Sequence, residues 1–271
     1  MAAMRQCVVC AAVVGLCNAA RPQSPEQSWT ADQIVREAVG TELYAAAHDH
    51  SCWMYYEVDS KPASIVKQWV AQTHQGSLTR VIEKNGQYFS RQQQQSSMQA
   101  FIGNPAAQAK ERKSGQHDDQ QAAQLLNMLP QAFLWTIAAR RDGNTILHFE
   151  PNPQFSPPTW QSRVFAAMGG EITVNDAQHR IVSLKGHLLH DVRFWGGLLG
   201  DLQAGGWFDV ERRRLPNGDW QITETHVHIQ GHALIFRTIT EQEDDVKSKF
   251  TELPENIDFD QAEKDLLDQN G

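Results

Sequence analysis

The sequence predicts an α+β fold in which a long, curved antiparallel β-meander, a half-barrel, holds helices packed in its hollow. Three observations predict it. Strand-length segments recur between tight-turn signals at Asn85-Gly86, Asp142-Gly143-Asn144 and Pro216-Asn217-Gly218-Asp219, the mark of consecutive hairpins. No helical segment separates each pair of strands, so parallel βαβ units are excluded. In the strand at 220–230, Trp220, Ile222, Glu224, His226 and His228 share one face, and Gln221, Thr223, Thr225, Val227 and Ile229 the other. Neither face is uniformly apolar, so one meets a helix or a cavity and the other meets water.

The chain opens with Arg5, an apolar run from Cys7 to Leu16, and small residues at Cys17 and Ala19. That order reads as a cleavable secretory signal over 1–19, cut after Ala19 or alternatively after Ala20. The run is well short of the roughly 20 residues that span a bilayer. A lipoprotein anchor at Cys17 is the lesser alternative, because Leu16 is bulky where a lipobox takes a small residue. The protein is therefore expected to be exported, to the periplasm or beyond the cell. Cys7, Cys10 and Cys17 leave with the signal, so Cys52 alone remains of four cysteines. The exported fold then has no internal disulfide and is held by its core, with Cys52 buried and inert in a strand. Residues 20–28 are polar, with two prolines, and read as a disordered leader.

A single α+β domain is expected over 29–250. Thr30 caps a first helix, with Gln33 as its capping-box partner and an apolar stripe of Ile34, Val35, Ala38, Leu43 and Ala46 running to about residue 48. Strands follow from Cys52 to Val58, Ile65 to Gln72 and Ser77 to Lys84, with Gln87-Tyr88-Phe89 resuming the pairing. Residues 91–129 read as a polar, glutamine-rich helical arm, with disorder as the alternative, broken near Gly103-Asn104-Pro105 and again near Gly115. Its one sticky end is Leu125, Leu126, Met128 and Leu129, and Pro130 stops it. Strands at 133–140 and 145–150 lead to a rigid extended crossing, Pro151 to Pro158. Thr159 caps a short helix through Met168. Strand pairs 171–174 with 180–189 and 208–214 with 220–230 follow, then a strand from Leu234 to Thr240. Residues 251–271 read as an acidic C-terminal tail.

Charge excludes some partners. The net charge is −8, and residues 241–271 alone carry eleven acids against three bases. The remainder is near neutral with no basic footprint, so nucleic acid and anionic headgroups are not expected partners. After signal removal no segment has the length and apolarity of a transmembrane span. The polar arm at 91–124 is a candidate contact for a protein partner.

Two clusters carry possible chemistry. His226 and His228 point the same way on a strand, about 7 Å apart, and His187 or His190 lies on another strand of the meander. Together they are a candidate metal set, although eleven histidines in the chain make such spacings common by chance. Phe194, Trp195, Leu198, Leu199 and Leu202 lie in a glycine-laced insert with helical spacing. That insert is either a helical plug closing the end of the sheet or a mobile lid over an apolar cavity. The nucleophile-elbow, phosphate-loop and dinucleotide motifs are missing. Paired acids such as Asp118-Asp119 and Asp244-Asp245 read as solvated surface. No cofactor is expected.

The run Phe149-Glu-Pro-Asn-Pro-Gln-Phe-Ser-Pro-Pro158, with Arg163-Val-Phe165, Gly186-His-Leu188, Asp191-Val192, Gly196-x-Leu198 to Gly205-Gly206, and Gly231-x-Ala233-Leu-x-Phe236-x-Thr238-Ile239, resembles a group of exported bacterial proteins over about residues 30–250. That resemblance carries no activity with it. In layout alone, without a shared motif, the chain is more remotely similar to the periplasmic lipoprotein-carrier and lipoprotein-sorting superfamily. There a half-open barrel shelters acyl chains under helices. The analogy is one of fold. It implies a non-catalytic envelope protein that binds an apolar ligand, a lipid or an acylated protein. The two alternatives are a metal-dependent hydrolase using the histidines and an envelope scaffold acting through the 91–124 arm and the acidic tail.

Overall fold

The first helix, α1 (Ala31–His48), begins as its capping box requires: Thr30 accepts from Gln33 N at 3.3 Å, and the Gln33 side chain accepts from Thr30 N at 2.9 Å. This computed structural model describes residues 29–194, 200–229, 231–233 and 242–270. Strands β1 (Cys52–Lys61), β2 (Ser64–Thr73), β3 (Gly76–Lys84) and β4 (Gln87–Tyr88) form a first antiparallel meander. In its last turn, Asn85-Gly86, both residues take positive φ, 52° and 78°. Helices α2 (Arg91–Ile102) and α3 (Pro105–Ala132) follow. The second meander comprises β5 (Phe133–Arg141), β6 (Asn144–Pro151), β7 (Met168–Asn175), β8 (Ile181–Leu188), β11 (Trp207–Arg214) and β12 (Trp220–His228). Helix α4 (Trp160–Phe165) precedes β7. The short strands β9 (Val192–Phe194), β10 (Gly200–Leu202) and β13 (Gly231–Ala233) make a separate three-stranded sheet. The chain ends with β14 (Gln242–Leu253) and α5 (Phe259–Asp268).

Among the described residues the main sheet has eleven antiparallel strands in the order β4-β3-β2-β1-β14-β12-β11-β8-β7-β6-β5, and it is open, ending at β4 and β5. The α+β curved-sheet class is therefore the one expected. Several features differ from expectation. The stretch expected as an acidic tail, 251–271, is no solvated appendage: it completes β14 and forms α5. Strand β14 sits in the middle of the sheet, paired with β1 on one side and β12 on the other, and α5 packs on β2 and β3. Charge made this stretch look like a tail. The alternate residues of β14 are nevertheless matched across the strands, as with Glu243 beside Lys61 of β1 at 3.0 Å.

The helices also divide between the two faces. On β1, Cys52 and Met54 point into a core with Trp69, Ala71, Leu78, Met98, Phe259 and Leu266 beneath α2 and α5. The alternate residues Trp53 and Tyr55 point the other way. Register carries that second face from Asp59 through Asp245, Thr225 and Val210 to Leu184. There it joins the larger core of Phe133, Leu147, Phe149 and Ile172 beneath α1 and α3. Only this second face, the inner face hereafter, is the expected helix-filled hollow.

The polar arm is helical, and α2 and α3 part at Gly103-Asn104-Pro105 as the sequence predicts. Gly115 does not break α3, and Pro130 lies inside it. A lone glycine in an exposed helix costs only about 1 kcal/mol relative to alanine, too little to end twenty-eight residues of helix. Past Pro130 the carbonyls find tertiary donors: Trp135 Nε1 donates to Leu129 O at 3.3 Å, and Asn152 donates to Gln131 O and Ala132 O, both at 2.9 Å. The glutamine run contributes to structure as well. Gln93 completes a capping box with Ser90, and buried Gln94 accepts from Arg80 Nε at 2.7 Å. Helix α4 stops at Phe165, short of expectation, because Met168 is already the first residue of β7.

Two buried ions pin helices to opposite faces. Arg80, 5% exposed, donates Nη1 to Leu266 O at 2.6 Å and Gln269 O at 2.8 Å, closing the C-terminus of α5. Glu42 of α1, 6% exposed, accepts from Arg180 at 3.0 and 2.9 Å and from Ile181 N at 2.8 Å, with Arg212 Nη1 at 2.5 Å. Burial pushes the Glu42 carboxyl up, but the two arginines outweigh it and hold it below its ordinary value. Glu42→Ala leaves two half-buried guanidiniums unpaired and is expected to cost about 3–5 kcal/mol in denaturant unfolding. Because the folded pKa is depressed, Glu42's contribution is fully present above the ordinary value of 4.5 and is lost as pH falls through the lower folded value. Acid titration of stability should therefore flatten in Glu42→Ala.

Candidate functional site

Helix α3 crosses the inner face as a strap. Near its start Glu111 and Arg112 meet the β2–β3 turn, where Arg112 Nη1 donates to Gln75 O at 3.0 Å. Its last turns pack with α1 and β5. Between strap and sheet lies a cavity of about 670 Å³. Leu125, Leu126, Met128 and Leu129 line it from α3, Val164 and Phe165 from α4, and Leu184, Phe208, Val210 and Val227 from the sheet. The volume falls within the range of small-molecule sites, about 300–1,000 Å³, and the lining is apolar as such sites are.

Local sequence explains the walls. On β8, β11 and β12, strand alternation sends Leu184, Val210 and Val227 inward, while Lys185, Asp209 and His226 point outward in the neighbouring row. Gly186 pairs with Phe208. A Cβ on Gly186 would sit 2.5 Å from the Phe208 ring, so glycine there lets the ring lie close against the sheet. The cavity is graded along α3. Its far part is lined by leucines and methionine, and its near part by His117, Gln120, Gln121 and Gln124.

Next to the cavity, on β14 and β1, the inner face becomes charged. Glu57, Asp59 and Lys61 of β1 stand with Glu243, Asp245 and Lys247 of β14. Lys61 Nζ lies 3.0 Å from both Asp59 and Glu243, and Lys247 Nζ lies 3.0 Å from Asp245 and 3.8 Å from Glu57. Burial and then the Asp245 charge push the Glu57 carboxyl up. Burial also raises the neighbouring Tyr55 phenol to about 12.

The candidate metal histidines lie on the outer face. His226 Nδ1 and His228 Nε2 both donate to Asp244 Oδ1, at 2.6 and 2.9 Å. A carboxylate only accepts, so both of those nitrogens carry hydrogens. His187 is on the same face but stands beyond Trp207, which pairs with both His187 and His228 and stacks on the His228 ring at 4.4 Å. The structure thus brings two of the three histidines together, around a carboxylate. Among the described residues, no group of three or more His, Cys, Asp or Glu side chains is placed to hold a metal.

The apolar insert is not helical at its ends. Phe194 and Leu202 belong to β9 and β10, which pair antiparallel. Leu202 is buried in the main core, not in the cavity wall. Trp195, Leu198 and Leu199 lie outside the described residues, as does the segment expected as a strand from Leu234 to Thr240. The cavity residues that sequence reasoning did not single out are Leu184, Phe208, Val210 and Val227. The available signal was the sticky end of the polar arm: an apolar patch on an otherwise polar helix has to face something apolar.

No helix among the described residues is long and apolar enough to cross a membrane. Compared with known proteins, the chain matches no family model, no curated protein and no solved structure.

The Asp244 bonds hold the His226 imidazole above its ordinary value, chiefly through the Asp244 hydrogen bond, and hydrogen bonding from His228 and His226 holds Asp244 low. A raised histidine stabilises the fold fully below the ordinary value of 6.5 and ceases to as pH rises through the higher folded value. Melting temperature should therefore decline across that window in the wild type. In Asp244→Asn the decline should shrink, and the His226 titration followed by NMR should shift downward.

Proposed function

We propose that this is an exported envelope protein that binds an apolar ligand, a lipid or an acylated protein, in the cavity beneath α3 and without catalysis. The cavity carries the reading. It is about 670 Å³, apolar over most of its wall, and set between an open curved sheet and a helix that touches the sheet mainly at its two ends. Apolar burial at about 25 cal/mol per Å² supplies affinity there with little polar chemistry. The layout supports the reading by analogy with half-barrel lipoprotein carriers, and the expected signal at 1–19 supports the compartment.

The direct test purifies the mature protein from its native envelope and combines native mass spectrometry with lipid extraction. Co-purifying lipid is the expected result. A protein with no bound lipid and no affinity for fluorescent acyl probes overturns the proposal. Leu125→Gln and Val210→Glu place polar groups in the cavity wall. Each should weaken acyl-probe binding at least about tenfold, since a buried polar group without a partner costs about 1–3 kcal/mol. Leu125 lies on the strap, so its variant should keep the wild-type circular dichroism.

A further inference from the structure

The stripe of α3 that lines the cavity changes character at one point. His117, Gln120, Gln121 and Gln124, then Leu125 and Met128, recur at helical spacing in its wall. Up to Gln124 the stripe is amide and imidazole, and from Leu125 it is hydrocarbon. The acids of the same stretch, Asp118 and Asp119, stay out of the wall. Among the described residues no aspartate, glutamate, lysine or arginine lines the cavity.

Two of those polar side chains are free to pair. His117 and Gln121 are hydrogen-bonded to each other at 2.8 Å. The Thr159 hydroxyl, also in the wall, is engaged with Ser162 in the cap of α4. The amides of Gln120 and Gln124 have no side-chain hydrogen bond among the described residues. A primary amide offers both donors and an acceptor oxygen, so it pairs with ester and hydroxyl groups alike. An ion at the same place has no counter-charge in the wall, and taking an unpaired charge out of water costs far more than taking an amide. Size sets a second limit. At about 30 Å³ per water-sized group, a space of about 670 Å³ takes roughly twenty non-hydrogen atoms. That is one long acyl chain with a small head; two such chains need nearly twice the space.

We propose that the ligand is a single-chain acyl lipid with an uncharged, hydrogen-bonding head, its chain among Leu125, Val210 and Val227 and its head against Gln120 and Gln124. This rests on the cavity reading above and adds to it the number of chains and the chemistry of the head. A monoacylglycerol has that chemistry: one ester, two hydroxyls and no charge. An anionic head is the competing assignment, because Lys113 lies one turn before His117 on the same stripe of α3. Lys113 is not part of the wall, so the neutral head is favoured.

The test measures displacement of a fluorescent acyl probe from the mature protein by monododecanoylglycerol, dodecanoate and dodecyltrimethylammonium, each below its micelle-forming concentration. The neutral lipid is expected to bind at least about tenfold more tightly than either ion, with no dependence on ionic strength. Along the octanoyl, decanoyl and dodecanoyl monoacylglycerols, affinity should rise about fourfold per methylene. Didodecanoylglycerol should bind less tightly than its single-chain counterpart. Gln120→Ala with Gln124→Ala should weaken monoacylglycerol binding about tenfold and leave dodecanoate binding unchanged. Alanine is the best helix former, so this variant should keep the wild-type circular dichroism. Either ion binding as tightly as the neutral lipid overturns the uncharged head, and loss of dodecanoate binding in Lys113→Gln would then identify an anion site. Didodecanoylglycerol binding as tightly as the single-chain lipid overturns the single chain, and an unchanged monoacylglycerol affinity in the glutamine variant overturns the place of the head. Each of these results leaves the cavity reading standing. A protein that binds neither the probe nor any of these ligands overturns both.

Discussion

The pairing of β14 with β1 and β12 is the constraint on which the rest of the structure depends. Strands β1 to β4 and strands β5 to β12 are two meanders, and the main sheet is continuous only because the last strand enters between them. Five residue pairs make the β12 side of that junction. Both faces there are polar: Asp244 holds His226 and His228 outside, while Glu243, Asp245 and Lys247 face inward with β1. The charges that made the C-terminal stretch look solvated are the ones that let a strand be paired on both edges without an apolar layer above it.

A sheet joined in this way has the freedom to bury opposite faces at its two ends, and it does. One end is covered by α2 and α5, the other by α1, α3 and α4. Burying a sheet face requires helices whose polar ends are satisfied, and two buried ions, Arg80 and Glu42, serve that need. Arg80 neutralises the carbonyl end of α5, and Glu42 ties α1 to Arg180 and Arg212 at the turn end of the larger core. Such pairs contribute less to net stability than to fixing which arrangement forms, because desolvation offsets most of their attraction.

The cavity follows from the same division. At the centre of the inner face neither set of helices covers the sheet, and α3 must bridge the gap. Its polar stretch, too hydrophilic to lie on the sheet, stays in solvent, and its leucine-rich end lands on α1 and β5. The apolar residues of β8, β11 and β12 are thereby roofed without being filled. The result is an apolar space with a polar approach along α3.

Sequence by itself determined the local elements. Turn chemistry at Asn85-Gly86 and Asp142-Gly143 requires positive φ that few other residues adopt, and capping at Thr30 and Thr159 satisfies backbone donors within three residues. These are short-range physics, so the antiparallel strands, the broken helical arm and the curved α+β class were legible. Tertiary structure alone decided the rest. A strand's place in a sheet depends on partners some two hundred residues away, as Cys52 opposite Leu253 shows. Composition therefore mistook α5 and the end of β14 for a tail. Whether inward apolar residues meet a packed core or an open cavity depends on how far a distant helix stands off. Hence the sticky end at Leu125 to Leu129 could be noticed in the sequence, but the space it roofs could not.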